Sequence, residues 1–209
     1  MIDSIIKNLS DGNIYSLDEI AFLTDTTIEY VERVLNDPSI IQTCGDGSGV
    51  IYYMDIKYDT IVDGVGFRNT LYSAKCNIQC SGCHNPQSWN IKNGKPLSVI
   101  QLSKLLLENG NDITFSGGEC SLQAKTFTKL AQILKAEGRN IWLYSGHTFK
   151  ELNENSTTKK LLSLIDVLVE GRFIINQKSI NLPFRGSSNQ RIIDVPKTLL
   201  NNKVITLNV

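Results

Sequence analysis

Three thiols within eight residues are the feature of this sequence with the most evident chemistry: Cys76-Asn-Ile-Gln-Cys80-Ser-Gly-Cys83, a C-x3-C-x2-C spacing. Thiolates are the usual ligands of iron–sulfur clusters, commonly four to a cubane. Three close cysteines can hold three irons and leave the fourth open to a different ligand. Other readings of the same residues stay open at this point. Cys76, Cys80, Cys83 and the adjacent His84 also make a Cys3His zinc set. Cys80-Ser-Gly-Cys83-His84 fits the C-x-x-C-H pattern of haem attachment, which would strand Cys76 and usually needs an exported chain. Simple buried thiols fit poorly beside Asn77, Gln79, Ser81 and Gly82. The chain has five cysteines, an odd number, so a disulfide framework is disfavoured.

A second motif, Ser116-Gly-Gly-Glu119, follows directly on the β-prone Ile113-Thr-Phe115. Glycines at a strand end permit close backbone approach to a ligand. A carboxylate beside them can accept hydrogen bonds from a ligand's ammonium group. Taken alone, Gly-Gly-Glu reads equally as an ordinary turn.

The elements that must position these motifs follow from periodicity. From about Asp55 the pattern alternates: strand at Phe67–Ala74, helix at Leu97–Asn109, strand at Asp112–Phe115, helix at Leu122–Gly138. It continues with a strand at Asn140–Tyr144, mostly helix over Phe149–Ile165, and a strand at Val167–Val169. Such alternation implies an α/β fold, a parallel sheet covered by helices. Chemistry in such folds sits at the carboxyl ends of the strands, where both motifs fall.

Residues 1–54 read differently. Asp3–Leu9 is a weak helix, Ser16-Leu-Asp-Glu19 fits a capping box opening a second, and Thr26 or Thr27 can cap a third. The glycine-rich 45–49 stretch then turns into the β-prone Val50–Tyr53. This pattern resembles a small winged-helix-like unit, and a division into 1–54 and 55–209 follows. The formal net charge of the chain is zero, yet residues 1–54 hold two cations (Lys7, Arg33) against nine anions, a net of −7. The remainder carries 19 cations and 12 anions, a net of +7. DNA affinity rests on Lys and Arg neutralising phosphates, so an acidic winged helix is a poor nucleic-acid binder. Docking onto a protein, or onto the chain's own basic portion, suits it better. Lone Cys44 beside the turn reads as structural.

No apolar run approaches the roughly 20 residues that span a bilayer. The start of the chain lacks the basic and apolar regions of a secretory signal. A cytoplasmic location, where thiols stay reduced, is expected.

The cysteine spacing is similar to that of the radical S-adenosylmethionine (SAM) superfamily. Over roughly Tyr58 to Pro196 the chain resembles one family in it, the activating enzymes of anaerobic (class III) ribonucleoside-triphosphate reductases. The resemblance lies in Asp63-Gly-Val-Gly66 with Arg68, Cys76 through Trp89, Ser116–Glu119, Ile141–Gly146, Val167–Arg172, and Arg185-Gly-Ser-Ser-Asn-Gln190. The last block separates this family from pyruvate formate-lyase activators. The resemblance implies an incomplete radical SAM (β/α) barrel with a [4Fe–4S] cluster on Cys76, Cys80 and Cys83. Gly82, Cys83, His84, Gly117 and Gly118 would line SAM, with Glu119 near its amino group. It also implies that a 5′-deoxyadenosyl radical takes hydrogen from a backbone glycine of the partner reductase, and that a flavodoxin or ferredoxin supplies the electron. Lys75, Arg68, Arg172 and Arg185 are candidate docking cations. Tyr144 and His147 read as packing or adenine contacts. Two features depart from the family: Cys120 stands where relatives commonly have proline, and the compact members lack residues 1–54.

Overall fold

The computed structural model describes Thr27, Glu29 and residues 49–208. The three N-terminal helices and Cys44 lie outside the described residues. From residue 50 the order is β1 (Val50–Thr60), β2 (Arg68–Ser73), β3 (Lys95–Ser98), α1 (Val99–Leu107), β4 (Asp112–Gly117) and α2 (Ala124–Ala136). Then come β5 (Ile141–Ser145), α3 (Phe149–Glu154), α4 (Ser156–Leu162), β6 (Val167–Glu170), β7 (Arg191–Asp194) and α5 (Val195–Asn201).

The seven strands make one sheet in the order β3-β1-β2-β4-β5-β6-β7. β2, β4, β5 and β6 run parallel. β1 and β3 on one side, and β7 on the other, are antiparallel to their neighbours. The expected α/β alternation is therefore present, in a sheet that does not close. Val50–Tyr53, read from sequence as part of an N-terminal hairpin, instead opens β1, which runs unbroken through residue 54 into this sheet.

One face of the sheet is built to meet helices. Alternate strand residues Leu71, Ile113, Phe115, Ile141, Leu143, Leu168 and Ile193 are buried with the apolar faces of the helices. In α2, Phe127, Leu130, Ala131 and Leu134 fall at i, i+3, i+4 and i+7 and are fully buried. Each such Leu or Phe contributes about 1.5–3 kcal/mol relative to exposure. Side-chain caps fix where helices begin. Ser98 forms a capping box with Gln101, Thr148 forms another with Glu151, and Asn155 caps α4 where α3 ends.

The opposite face carries Thr70, Tyr72, Thr114, Ser116 and Tyr144, with a small cluster of Trp142, Val167, Val169 and Ile192 covered in part by Phe184 and Leu207. Among the described residues no helix is long and apolar enough to cross a membrane.

Candidate metal centre

The three-cysteine loop begins one residue beyond the Ser73-Ala74-Lys75 exit of β2, at the carboxyl end of the parallel strands. Its ends are tied together: the Cys76 amide donates to the Trp89 carbonyl at 3.2 Å, and the Cys83 amide to the Cys80 carbonyl at 3.1 Å. Between them the backbone takes left-handed conformations at Lys75 (φ 73°), Gln79 (φ 50°) and Gly82 (φ 73°). Two of these are not glycine, so the loop is held against its local preference by what surrounds it.

What surrounds it are the loops after β4, β5 and β6. The Gly118 amide donates to Ser73 O at 2.8 Å and the Glu119 amide to Lys75 O at 2.7 Å. Gly117 (φ 99°) and Gly118 have no room for a Cβ, which would press into the backbone of Ser73 and Lys75 respectively. Their function is thus close approach between two backbones, at the seam where β4 meets the start of the cysteine loop. Ile78 packs on Gly146 beyond β5, and Ile175 packs on Gly82 from the loop after β6. His84 lies against Phe173 with ring centroids 5.7 Å apart.

Cys76, Cys80 and Cys83 are free thiols, half-buried. Burial pushes the Cys76 thiol up, an effect opposed by the amides of Ile78 and Gln79 donating to its sulfur. The Asn85 amide donates to Cys83 Sγ at 3.4 Å. Among the described residues no three Cys, His, Asp or Glu side chains converge on a single-ion position. A tetrahedral zinc requires such convergence, with ligands all about 2.0–2.3 Å from one point. A cubane instead asks each sulfur to reach its own iron. Half-buried thiols with amide donors at two sulfurs suit that group, since amide–sulfur hydrogen bonds are a standard part of such sites.

Glu119 is fully buried. Its carboxylate accepts from Ser145 Oγ at 3.0 Å on both oxygens, from the Gly146 amide at 2.9 Å and from the Ser121 amide at 3.1 Å. The side chain therefore locks β4 to β5 and caps the 3-10 turn at Cys120–Gln123. What stays accessible at this turn is the backbone of Gly117 and Gly118. Cys120 is buried too, its thiol 3.5 Å from Ser116 O. Burial, reinforced by the Glu119 charge, pushes this thiol well above its usual value, so it stays protonated.

The other candidates separate cleanly. Arg68 is only 1% exposed and lies at the start of β2, the end of the strand remote from the cysteines. Its guanidinium donates to Thr114 Oγ1 and the carbonyls of Val65, Ile113 and Asn140, and stacks 5.3 Å over Trp142. Burial lowers its pKa to about 10 against the opposing pull of Asp112. It is an internal staple and not a docking cation. Lys75 and Arg172 are exposed beside the site, and Arg185 is half-buried with Nη1 3.3 Å from Gln190 O. The rest of the Arg185–Gln190 block shapes its own loop. Gln190 accepts from the Gly186 and Ser187 amides and donates to Gly171 O, while Asn189 donates to Arg172 O.

His147 Nδ1 lies 3.9 Å from Glu151 at the start of α3. Tyr144 faces the helix-free side of the sheet, together with two residues that sequence reading passed over, Tyr72 and Asp63. Asp63 Oδ2 accepts from Tyr72 Oη and from Thr70 Oγ1, each at 3.0 Å. Burial, then the Asp63 charge, pushes both phenols above the usual tyrosine range. A cavity of about 310 Å³ opens on this side, lined by Asp55, Lys57, Tyr72, Asn85, Ser88 and Gly117. Alternation along β2 was the one signal that could have placed Tyr72 there.

Comparison with known proteins agrees with this geometry. A family profile described as "4Fe-4S single cluster domain" matches residues 62–193. The chain is 34% identical over 141 residues to the anaerobic ribonucleoside-triphosphate reductase-activating protein of Escherichia coli strain K12, spanning 62% of this chain and 90% of that one. It is also 34% identical over 142 residues to the protein of the same name from Vibrio cholerae, at 63% and 90%. A shorter likeness, 38% over 85 residues, links it to the pyruvate formate-lyase-activating enzyme of Clostridium pasteurianum, covering 37% of this chain and 36% of that enzyme. The chain belongs to the 4Fe-4S single cluster domain family and, within it, to the family of anaerobic ribonucleoside-triphosphate reductase-activating proteins.

Proposed function

We propose that this chain activates an anaerobic ribonucleoside-triphosphate reductase by generating a glycyl radical on it, through reductive cleavage of SAM at a [4Fe–4S] cluster. The observation that carries this reading is the seating of the Cys76–Cys83 loop across the ends of β4, β5 and β6, with Gly117 and Gly118 presenting backbone beside it. The cluster, when bound, supplies one electron to the sulfonium of SAM, giving methionine and a 5′-deoxyadenosyl radical that takes a hydrogen atom from glycine.

The chain's own residues do the rest. Cys76, Cys80 and Cys83 hold three irons, leaving the fourth for the amine and carboxylate of SAM. Gly82, His84, Gly117 and Gly118 line the nucleotide, and Glu119 fixes the turn that presents them. Cys120, buried and protonated, leaves that fourth iron free. The sheet is read as an incomplete radical SAM barrel whose helix-free face admits the partner's glycine. Residues 1–54 are read as a winged-helix-like unit beside an activase domain from 55, with β1 crossing the division. Electron supply from a flavodoxin or ferredoxin in the cytoplasm completes the scheme.

The likeness to a pyruvate formate-lyase-activating enzyme supports a second reading, activation of another glycyl radical enzyme. One experiment separates them. The anaerobically reconstituted chain, reduced with dithionite in the presence of SAM, should release 5′-deoxyadenosine and raise a glycyl radical EPR doublet on the co-expressed reductase. Release without the doublet would favour the second reading, and no release would sink both.

A further inference from the structure

The two segments that form and flank the cysteine loop carry cations and no carboxylates. Between Lys75 and Leu107 the charged residues are Lys75, Lys92, Lys95 and Lys104, and between Gly171 and Gln190 they are Arg172, Lys178 and Arg185. Lys75, Lys92, Lys95, Arg172 and Lys178 are exposed. The nearest carboxylates on neighbouring elements are already engaged: Asp55 pairs with Lys57 at 2.8 Å, and Glu151 accepts from the amide and hydroxyl of Thr148. The same rim exposes Ile174, Ile175 and Ile180, at 39%, 45% and 91%. Cations interleaved with large apolar side chains make a surface suited to an acidic, partly apolar polypeptide.

This chain holds such a polypeptide. Residues 1–48 carry nine anions and two cations, with apolar side chains recurring among them. They also enter the fold at the right place. Tyr53 pairs with Ser73, the last residue of β2 before the cysteine loop, and Val50 pairs with Ser98. At about 3.3 Å per residue, Val50 lies roughly 10 Å past the end of β2, on the side of the cysteines. Residue 49 therefore leaves the sheet at the rim, and fifteen residues of chain can reach about 50 Å. Tethering alone sets an effective concentration on the order of millimolar, so a weak electrostatic contact suffices. Lys125, Lys129, Lys159 and Lys160 on α2 and α4 form another basic region, but the exposed large apolar side chains of the described residues do not lie there.

We propose that residues 1–48 dock intramolecularly on the cationic rim of Lys75, Lys92, Lys95, Arg172 and Lys178 with Ile174, Ile175 and Ile180, covering the approach to the cysteine loop. An acidic partner surface must then compete with this segment for the rim, which makes the segment a gate on access.

Zero-length carbodiimide coupling of the full chain, mapped by mass spectrometry, tests this without any reliance on the proposed reaction. In 0.01 M salt, where charges act over about 30 Å, amide links should join carboxylates of residues 1–48 to Lys75, Lys92, Lys95 or Lys178 within one chain. At 1 M salt, where the range is about 3 Å, their yield should fall about tenfold. The doubly reversed Arg172→Glu, Lys178→Glu chain should lose the Lys75 links by about fivefold at low salt. Links confined to lysines of α2 and α4, links only between chains in a mixture of isotopically distinct copies, or yields indifferent to both salt and charge reversal would each overturn the proposal.

Discussion

The amide of Glu119 donates to the carbonyl of Lys75 at 2.7 Å, so the turn after β4 and the first residue of the cysteine-loop approach are one hydrogen-bonded unit. Everything at the site is arranged around that joint. The same residue sends its carboxylate the other way, to Ser145 and Gly146, so β5 is fixed to the unit as well.

The first expectation concerns the thiols. Replacing Cys76, Cys80 or Cys83 by Ala should abolish iron–sulfur loading and 5′-deoxyadenosine release, while the circular dichroism of the unloaded chain stays unchanged, because these side chains are half-exposed. Cys120→Ala should keep the cluster and lower stability by about 1 kcal/mol, the usual cost of a small buried truncation. Iron analysis and thermal melts read both.

At the glycine seam, Gly118→Ala would push a methyl group into the Lys75 carbonyl. The backbones must part, at a cost of about 1–3 kcal/mol, and the turn shifts. SAM affinity, measured by equilibrium dialysis on the reconstituted protein, should weaken at least about tenfold, with iron content retained. Gly138→Ala, in open space but also at positive φ, is the control for backbone strain alone.

Glu119→Gln keeps the shape and removes the charge. The amide nitrogen then faces a donor among Ser121 N, Ser145 Oγ and Gly146 N, leaving one buried donor unsatisfied. Such a loss costs about 1–3 kcal/mol, so the melting temperature should drop by several degrees. An unchanged melting temperature would mean the carboxylate does not brace β4 against β5.

Tyr72 and Tyr144 have pKa values raised by burial and by Asp63. A group whose folded pKa exceeds its unfolded one gives stability that is complete below the unfolded value, near 10, and is lost as pH climbs beyond it. Absorbance titration at alkaline pH should therefore show these two of the seven tyrosines ionising late, together with unfolding. Tyr72→Phe should remove one late step. Normal titration of both phenols would contradict the buried network with Asp63.

Much of this was legible in the residues. The 3.6-residue pattern of α2 and the alternation in β2, β4 and β5 gave elements within two or three residues, because each has one face fully committed to the core. β3 and β7 were not legible. Each is four residues long, β3 contains Pro96, and their pairing partners are far away in sequence. The cysteines announced themselves by spacing alone. Arg68 misled: an arginine in a polar-looking stretch reads as surface, and only the converging carbonyls of Val65, Ile113 and Asn140 reveal it as internal. The Asp63–Tyr72 contact was invisible for a related reason, since Asp63 reaches it from a loop whose path no local pattern fixes.

The most direct test is electron–nuclear double resonance on the reduced, reconstituted protein with SAM carrying ¹⁵N at its amine and ¹⁷O at its carboxylate. Hyperfine coupling of both labels to the cluster is the predicted result, since three cysteines leave one iron for them. A fully cysteine- or histidine-ligated cluster with no such coupling, or zinc in place of iron, would contradict it.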